Sequence, residues 1–429
     1  MKFTAVGDVI IQRRIQSDFE GFSELSPFIM QGDARFFNLE TTLNYEGECC
    51  SSQFSGGTYL RANPDVLEDI KKFGFNMTSF NNNHAMDFSY AGLEKTLESL
   101  NKSGLVHSGV GRNLAEASAP KYLDTKNGRA ALISVNTSFN DCMMAGAQTG
   151  RVPGRSGING LRTDSYIELP KEDLEFIKRI AEETNINAAK NISRKEGYSP
   201  ELSADKAELG SLRFEQGEKA RYVTNINKED MARVEKAICE AQLQADYIIV
   251  SVHSHQLSGN DKENPSEFLK EFSHHCIDAG ANAIVGHGPH LLRPIEVYKD
   301  SPIFYSLGDF IIQLYNIEFA PEEFYNKYNL TSSSTVHELL KKRSKDFTVG
   351  LMTDERMFQS VIPFWQTDGT KLIKLQLMPV EAAMEGNKSV IGLPRRSDGK
   401  KISEYLGKMC EPYGVKIIRE NDGMLTCRW

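Results

Sequence analysis

The 429-residue sequence contains no apolar run approaching the roughly 18 residues of a membrane span, so no membrane insertion is expected. It lacks any C-x-x-C pair. Its seven cysteines are an odd number, scattered apart from the adjacent Cys49 and Cys50. That excludes a disulfide framework and fits a reducing compartment. Basic residues are in deficit. The formal net charge of −8 leaves no basic stripe to neutralise phosphates, which excludes a general nucleic-acid binder. No internal repeat or low-complexity tract is present, and no nucleotide cofactor is expected. The opening stretch "MKFTAVGDVIIQRRI" has a short apolar run broken by Asp8 and no small-residue cleavage site, so it reads as a first strand and not a signal peptide. Together these absences lead to the expectation of a soluble, cytoplasmic protein. Its substrate would be a small molecule or peptide, and its oligomeric state stays open.

What is present is an ordinary globular composition, 40% apolar and 25% charged, enough for a sizeable core. The length allows two or three average domains or one large α/β domain with insertions. Strand and helix signals alternate over 1–137, with "KFTAV" (2–6), "ARFFNLE" (34–40), "FNMTSF" (75–80) and "RAALISV" (129–135) as strands. Asn63-Pro64 predicts a capped helix with Val66, Ile70 and Phe73 on one face and Gly74 as its stop. Leu93, Leu97 and Leu100 mark a second helix. The alternation breaks between about 139 and 245. That stretch holds a Gly-rich loop "GRVPGRSGINGLR" (150–162), an amphipathic helix "KEDLEFIKRIAEET" (171–184), polar irregular sequence and a helix near 228–244. It reads as an insertion carrying substrate-facing parts. Alternation resumes with "DYIIVSV" (246–252), a helix opened by Asn264-Pro265, "ANAIVG" (281–286) and "PIFYSLG" (302–308). The expected organisation is one α/β domain over 1–312 with an insertion at about 139–245. Residues 313–429 would add a polar helical excursion, a late strand "KLIKLQLMPV" (371–380) and a tail packing on the same domain.

Chemistry-bearing residues gather where strands are expected to end. Gly7-Asp8 follows the first strand, Asn38-Leu39-Glu40 the second and "NNNHAMD" (81–87) the third, while "HSH" (253–255) and "GHGPH" (286–290) close two later ones. In open α/β sheets ligands bind beyond the carboxyl ends of strands, so these five segments should converge on one rim. Taken singly, Asp8 reads equally well as a turn residue, Glu40 as a helix-start carboxylate and Asn81–Asn83 as a loop. His107 and His337 read as structural or surface residues, and His274 and His275 as the solvated end of a helix. Taken jointly, five of nine histidines (His84, His253, His255, His287 and His290) sit at strand ends, which packing does not explain. Asp, Glu, Asn and His ligands without cysteine suit Mn, Zn, Fe or Mg. The same residues without a tightly held metal suit proton transfer, and composition separates neither. Arg151, Arg155 and Arg162 lie in a loop without acidic residues and suggest an anionic substrate, with a solvated loop as the competing reading.

The ordered set "AVGDV", "FFNLETTL", "NNNHAMDFSYAGL", "GVGRNLAEA", "VSVH", "AIVGHGPHLLRPIEV" and "IFYSLGDFI" resembles the CapA-like capsule-synthesis (poly-γ-glutamate biosynthesis) family. The resemblance spans roughly residues 1–137 and 246–312. It implies a fold similar to the calcineurin-like metallophosphoesterases, a β-sandwich flanked by helices with its site at strand ends. It further implies Asp8 as a metal aspartate and Glu40 as a bridging carboxylate. Asn83 would be a ligand, and His84, oriented by Asp87, a substrate-side acid. His253 and His287 would bind metal and His290 would act in catalysis, with one or two ions of Mn, Fe or Zn. Asn38 and His255 are expected on the substrate side. The sequence departs from the metallophosphoesterase pattern at Ile10, which stands where a metal histidine belongs, and in a closing His pair one residue wider. Both departures imply one weakened metal site.

Three functions follow from this reading. The leading one is a metal-dependent hydrolase acting on an anionic γ-glutamyl or peptide substrate, or on a phosphate ester. The second is a metal-assisted peptide epimerase using Asp8 and a histidine of the closing motif. The third is a non-catalytic binding role in capsule-polymer synthesis.

Overall fold

The computed structural model describes the backbone of residues 1–429 and every side chain but that of Met352. Apolar runs bounded by Gly, Asn and Asp become the strands that matter for the site. These are β1 (Lys2–Ile10), β2 (Ala34–Leu39), β3 (Met77–Ser79), β4 (Gly128–Asn136), β5 (Tyr247–His253), β6 (Ala283–His287), β7 (Ser301–Phe304), β8 (Asp309–Ile312), β9 (Gln359–Asp368) and β10 (Lys371–Ala382). Every residue of β5 and β6 is buried, as parallel strands covered on both faces require.

One sheet runs Lys416–Arg419, Leu425–Arg428, β10, β9, β1, β2, β3, Val106–Ser108. A second runs Ile295–Tyr298, β7, β6, β5, β4, Lys121–Thr125. Alternate residues of the two sheets share one core: Phe3 and Ala5 of β1 and Phe36 of β2 lie in the same cluster as Leu132 of β4, Tyr247 and Ile249 of β5 and Val285 of β6. Each large side chain buried there contributes about 1.5–3 kcal/mol. The one polar handle inside is satisfied, since Trp365 Nε1 donates to Tyr247 Oη at 3.0 Å and Tyr247 donates to Asn282 O at 2.9 Å. The other face of β1 and β2 packs Phe37 and Leu39 with Leu25, Ile29, Ile70 and Leu93 from helices Glu20–Ile29, Val66–Lys72 and Ser89–Ser103.

Register sets the site. β1 pairs antiparallel with β9 over Lys2–Thr4 and parallel with β8 from Asp8 onward, so Asp8 lies opposite Asp309 on one side and Asn38 of β2 on the other. In the second sheet His253 lies between His287 of β6 and Asn136 of β4. A side chain on Gly7 would place its Cβ 1.9 Å from Gly308 O, so only glycine permits the approach that sets Asp8 against Asp309.

Two compact units emerge, Met1–Leu161 with Met231–Trp429, and Arg162–Asp230. The second contains a four-stranded sheet ordered Lys206–Leu209, Leu212–Gln216, Thr163–Leu169, Arg221–Ile226, with helices Lys171–Thr184 and Ala188–Lys195. The stretch after 184 was expected to be irregular; it instead holds a helix and three strands. Its pattern is thin because Ala207 and Phe214 are the hydrophobic residues it buries among those described. Both expected Asn-Pro caps are also corrected. The first helix starts at Val66, and the Asn63 side chain accepts from Arg61 Nη1 at 3.1 Å instead of capping. The other starts at Glu267 after Ser266, with no side-chain cap. No helix among the described residues is long and apolar enough to cross a membrane.

Candidate metal centre

The carboxyl ends of β1, β5 and β6, the turns after β2 and β3, and the start of β8 bring buried carboxylates and imidazoles together. Three groups each offer ligand atoms within 4.8 Å of one another: Asp8, His253 and His287; Glu40, His253 and His255; Asp8, His290 and Asp309. His253 joins the first two groups, with Nδ1 2.9 Å from His287 Nδ1 and Nε2 3.1 Å from His255 Nε2. Asp8 Oδ1 lies 3.6 Å from His287 Nδ1 and 3.9 Å from His253 Nδ1. Glu40 Oε1 lies 3.8 Å from His253 Nε2 and 4.0 Å from His84 Nε2. These carboxylate–imidazole separations exceed hydrogen bonds. They approach the roughly 3.4 Å between donors that each lie about 2.1 Å from a tetrahedral cation.

A second layer fixes the donors. Asn38 Nδ2 donates to Asp8 Oδ1 at 2.7 Å and Gly288 N to Asp8 Oδ2 at 2.8 Å. Ser251 Oγ pairs with His287 Nε2 at 2.7 Å, and Asp87 Oδ2 pairs with His84 Nδ1 at 2.7 Å. Such partners choose the tautomer and aim the free nitrogen. Here they leave His287 Nδ1 facing His253 and His84 Nε2 facing Glu40. Asp87 is held in turn by Leu60 N at 2.8 Å. Buried Arg293 donates to the carbonyls of Ser254, Gln256 and Lys262, tying down the loop that carries His255.

Burial dominates the electrostatics. It pushes the Asp8 carboxyl up to about 6, with help from Asp309, and holds Glu40 well above the usual carboxylate range, with Asp8 and Asp309 adding to the rise. Burial also raises Asp309 and Asp87. It drives His287 down to about 3 and, together with neighbouring imidazoles, His253 and His255 well below their usual value. His290 differs: burial pulls it down, but Asp309 outweighs that and raises it. His253, His255 and His287 thus favour the neutral form with a lone pair to give, while the carboxylates are crowded against ionisation, which a cation among them would favour.

Orphaned atoms provide the test of fit. Both oxygens of buried Glu40, Oδ2 of Asp309 and Oδ1 of Asn83 lack a hydrogen-bond partner. An unpaired buried carboxylate costs several kcal/mol, which a cation among these donors would remove. The donor set fits a borderline-to-hard divalent cation. A neutral imidazole has one lone pair, so His253 serves one ion at a time. The groups Glu40, His253, His255 and Asp8, His290, Asp309 share no residue and can be filled together. The group Asp8, His253, His287 competes with both.

Several expected site residues take other places. Asn38 was expected to face substrate, but it is fully buried and spends its amide on Asp8. Arg162 was expected to read an anion, but it grips the buried Asp230 carboxylate through Nε and Nη2 at 2.8 and 2.9 Å. Arg151 and Arg155 are exposed, and neither makes a hydrogen bond to the residues of the three groups among those described. His255 and Asn83 line an open cleft with Ser138 and Asn140. Asp309 was overlooked, although Gly308-Asp309 in "SLGDF" repeats the Gly7-Asp8 arrangement at a strand boundary.

Fold and site define the class: an α/β protein whose strand ends gather a carboxylate–histidine cluster with residue groups that could hold a metal ion. The chain belongs to the bacterial capsule synthesis protein PGA_cap family, which it matches over residues 2–314. It is 30% identical over 434 residues to uncharacterized protein y4sH of Sinorhizobium fredii, covering 97% of this chain and 91% of that one. It is 25% identical to the PGA biosynthesis protein CapA of Bacillus subtilis, over 71% of this chain and 62% of that one. The capsule biosynthesis protein CapA of Bacillus anthracis is 23% identical over 72% of this chain and 59% of its own length.

Proposed function

We propose that the chain is a metal-dependent hydrolase acting on an anionic substrate of the γ-glutamyl, peptide or phosphate-ester type, in the making or trimming of a capsule-like polymer. The observation that carries this reading is Glu40, a fully buried carboxylate with neither oxygen paired, set among His84, His253 and His255. Glu40, His253 and His255, and separately Asp8, His290 and Asp309, would hold the cations. A bound divalent ion supplies Lewis acidity and brings the pKa of water toward 7. The chain's own residues do the rest. His84 Nε2 delivers a proton to the leaving atom from the doubly protonated ring, and Asp87, facing Nδ1, holds that ring in place and offsets its charge. Asn38 and Gly288 N hold Asp8 in one orientation.

An epimerase using Asp8 as base draws less support, because both Asp8 oxygens already accept hydrogen bonds. The test is turnover of γ-glutamyl peptides and phosphate esters by protein reconstituted with Mn, Fe or Zn, beside a His84→Ala variant. Hydrolysis that falls by roughly 10²–10⁴ in kcat in the variant, at unchanged metal content, is the expected result. Solvent deuterium entering a peptide α-position without cleavage would overturn it.

A further inference from the structure

Two cavities flank the cluster and, among the described residues, share Gly56 in their linings. The cleft on one side presents Asn83, Ser138, Asn140 and His255 together with Phe54, Phe139 and Met143. The cavity on the other, about 170 Å³, has His84 and His290 at its base and walls of Leu60, Leu314, Ile317, Leu340, Phe347 and Leu351. Two more of its wall residues, Tyr315 and Val349, are each 43% exposed, so an apolar surface opens directly beside the chemistry. Clustered exposed apolar side chains of this kind mark ligand sites. A cavity of about 150 Å³ holds one benzene ring, so this one suits a single aromatic ring or a short branched chain.

Arg343 also lines that cavity. Its guanidinium lies over the Phe324 ring at 5.2 Å, and among the described residues it pairs with no carboxylate. A guanidinium at the rim of a largely apolar pocket is a specificity element, here for a carboxylate carried on the apolar group. The acid sits on the same side. His84 lines the apolar cavity and not the cleft, so the half of the substrate that leaves with its proton is the half in the apolar cavity.

We infer that the substrate is an amide whose acyl half lies in the Asn83–His255 cleft and whose amine half is an apolar amino acid with a free carboxylate, seated in the cavity that His84 and Arg343 line. This rests on the hydrolase reading above and narrows it. In the reaction the oxygen of water bonds to the acyl carbon and the C–N bond breaks. The nitrogen leaves with its electron pair and takes a proton from His84, giving a carboxylate and an apolar amino acid. Of the two protons that water gives up, one restores His84 and the other protonates the released amine.

The test separates the pocket from the chemistry. Binding of N-acetyl-L-phenylalanine, its neutral amide and N-acetyl-L-glutamate is measured by calorimetry on the full chain, wild type and Arg343→Gln. Cleavage of γ-glutamyl-phenylalanine and γ-glutamyl-glutamate by the metal-loaded protein is measured in parallel. Arg343 is exposed, so its replacement leaves the fold intact. The inference predicts that N-acetyl-L-phenylalanine binds more tightly than N-acetyl-L-glutamate. It also predicts a loss of about tenfold or more in Arg343→Gln, with the neutral amide unaffected. Cleavage should favour γ-glutamyl-phenylalanine by a similar factor. If that binding pattern appears without cleavage, the pocket stands and the hydrolase reading fails. Equal binding of the two acids, or a glutamyl preference in cleavage, overturns the pocket assignment whatever the hydrolytic rate.

Discussion

Asp8→Asn in the chelated protein tests the electrostatic account directly. A carboxyl moved from its ordinary 3.8 to about 6 carries a penalty of about 3 kcal/mol for being ionised in the folded state. The sign follows from proton uptake. Above pH 6 both folded and unfolded states are ionised and the full penalty applies. Between 6 and 3.8 the folded state binds a proton that the unfolded state lacks, so stability is regained as pH falls. Below 3.8 both are protonated and the penalty is gone. Asparagine does not titrate. It does lose one acceptor for Gly288 N or Asn38 Nδ2, costing about 1–3 kcal/mol at every pH. Urea unfolding with chelator present should therefore show the stability difference moving by about 2.4 kcal/mol in favour of wild type between pH 7.5 and pH 4. The depressed histidines contribute to both proteins and largely drop out of the difference. A divalent cation at 100 times its Kd should then stabilise wild type by about 2.7 kcal/mol and the variant far less. A difference that stays flat with pH would refute the reasoning.

Three further outcomes follow from the same geometry. Asn38→Ala removes the amide that holds Asp8 Oδ1 and should weaken metal affinity roughly 10–100-fold in a chelator competition, with the fold unchanged by circular dichroism. Asp87→Asn breaks the 2.7 Å contact that holds the His84 ring, and should lower kcat by about 10² or more while metal content holds. Gly56→Ala would place a Cβ 2.2 Å from Asn83 Nδ2 and 2.6 Å from His84 Nε2, so it should displace both side chains. A displacement of about 1 Å there should cost roughly 10²-fold in turnover at nearly constant Tm.

Much of the site was legible because its residues close apolar strands. Asp8, Glu40, His84, His253 and His287 each follow a run whose burial pattern is unmistakable, and parallel pairing carries them to one rim. Their partners were harder to see. Asn38 reads like its neighbours in sequence, and only the β1–β2 register turns it from a substrate contact into the residue that holds Asp8. Asp309 becomes a neighbour of Asp8 through a parallel pairing across 301 positions, which no local pattern announces. Arg162 looked unpaired because Asp230 lies 68 residues away. The strands after 184 bury too little apolar surface to show a period of two.

The central claim is that buried carboxylates and neutral imidazoles at these strand ends hold divalent cations. His253, like Asp8, belongs to two of the three ligand groups, so its loss should be felt strongly. The decisive measurement is elemental analysis of wild type and His253→Ala after equilibrium dialysis against Mn, Fe or Zn, with circular dichroism to confirm folding. The account predicts at least one bound equivalent in wild type and at least one fewer in the folded variant. A folded wild-type protein that binds no metal, or a variant that binds as much as wild type, would contradict it.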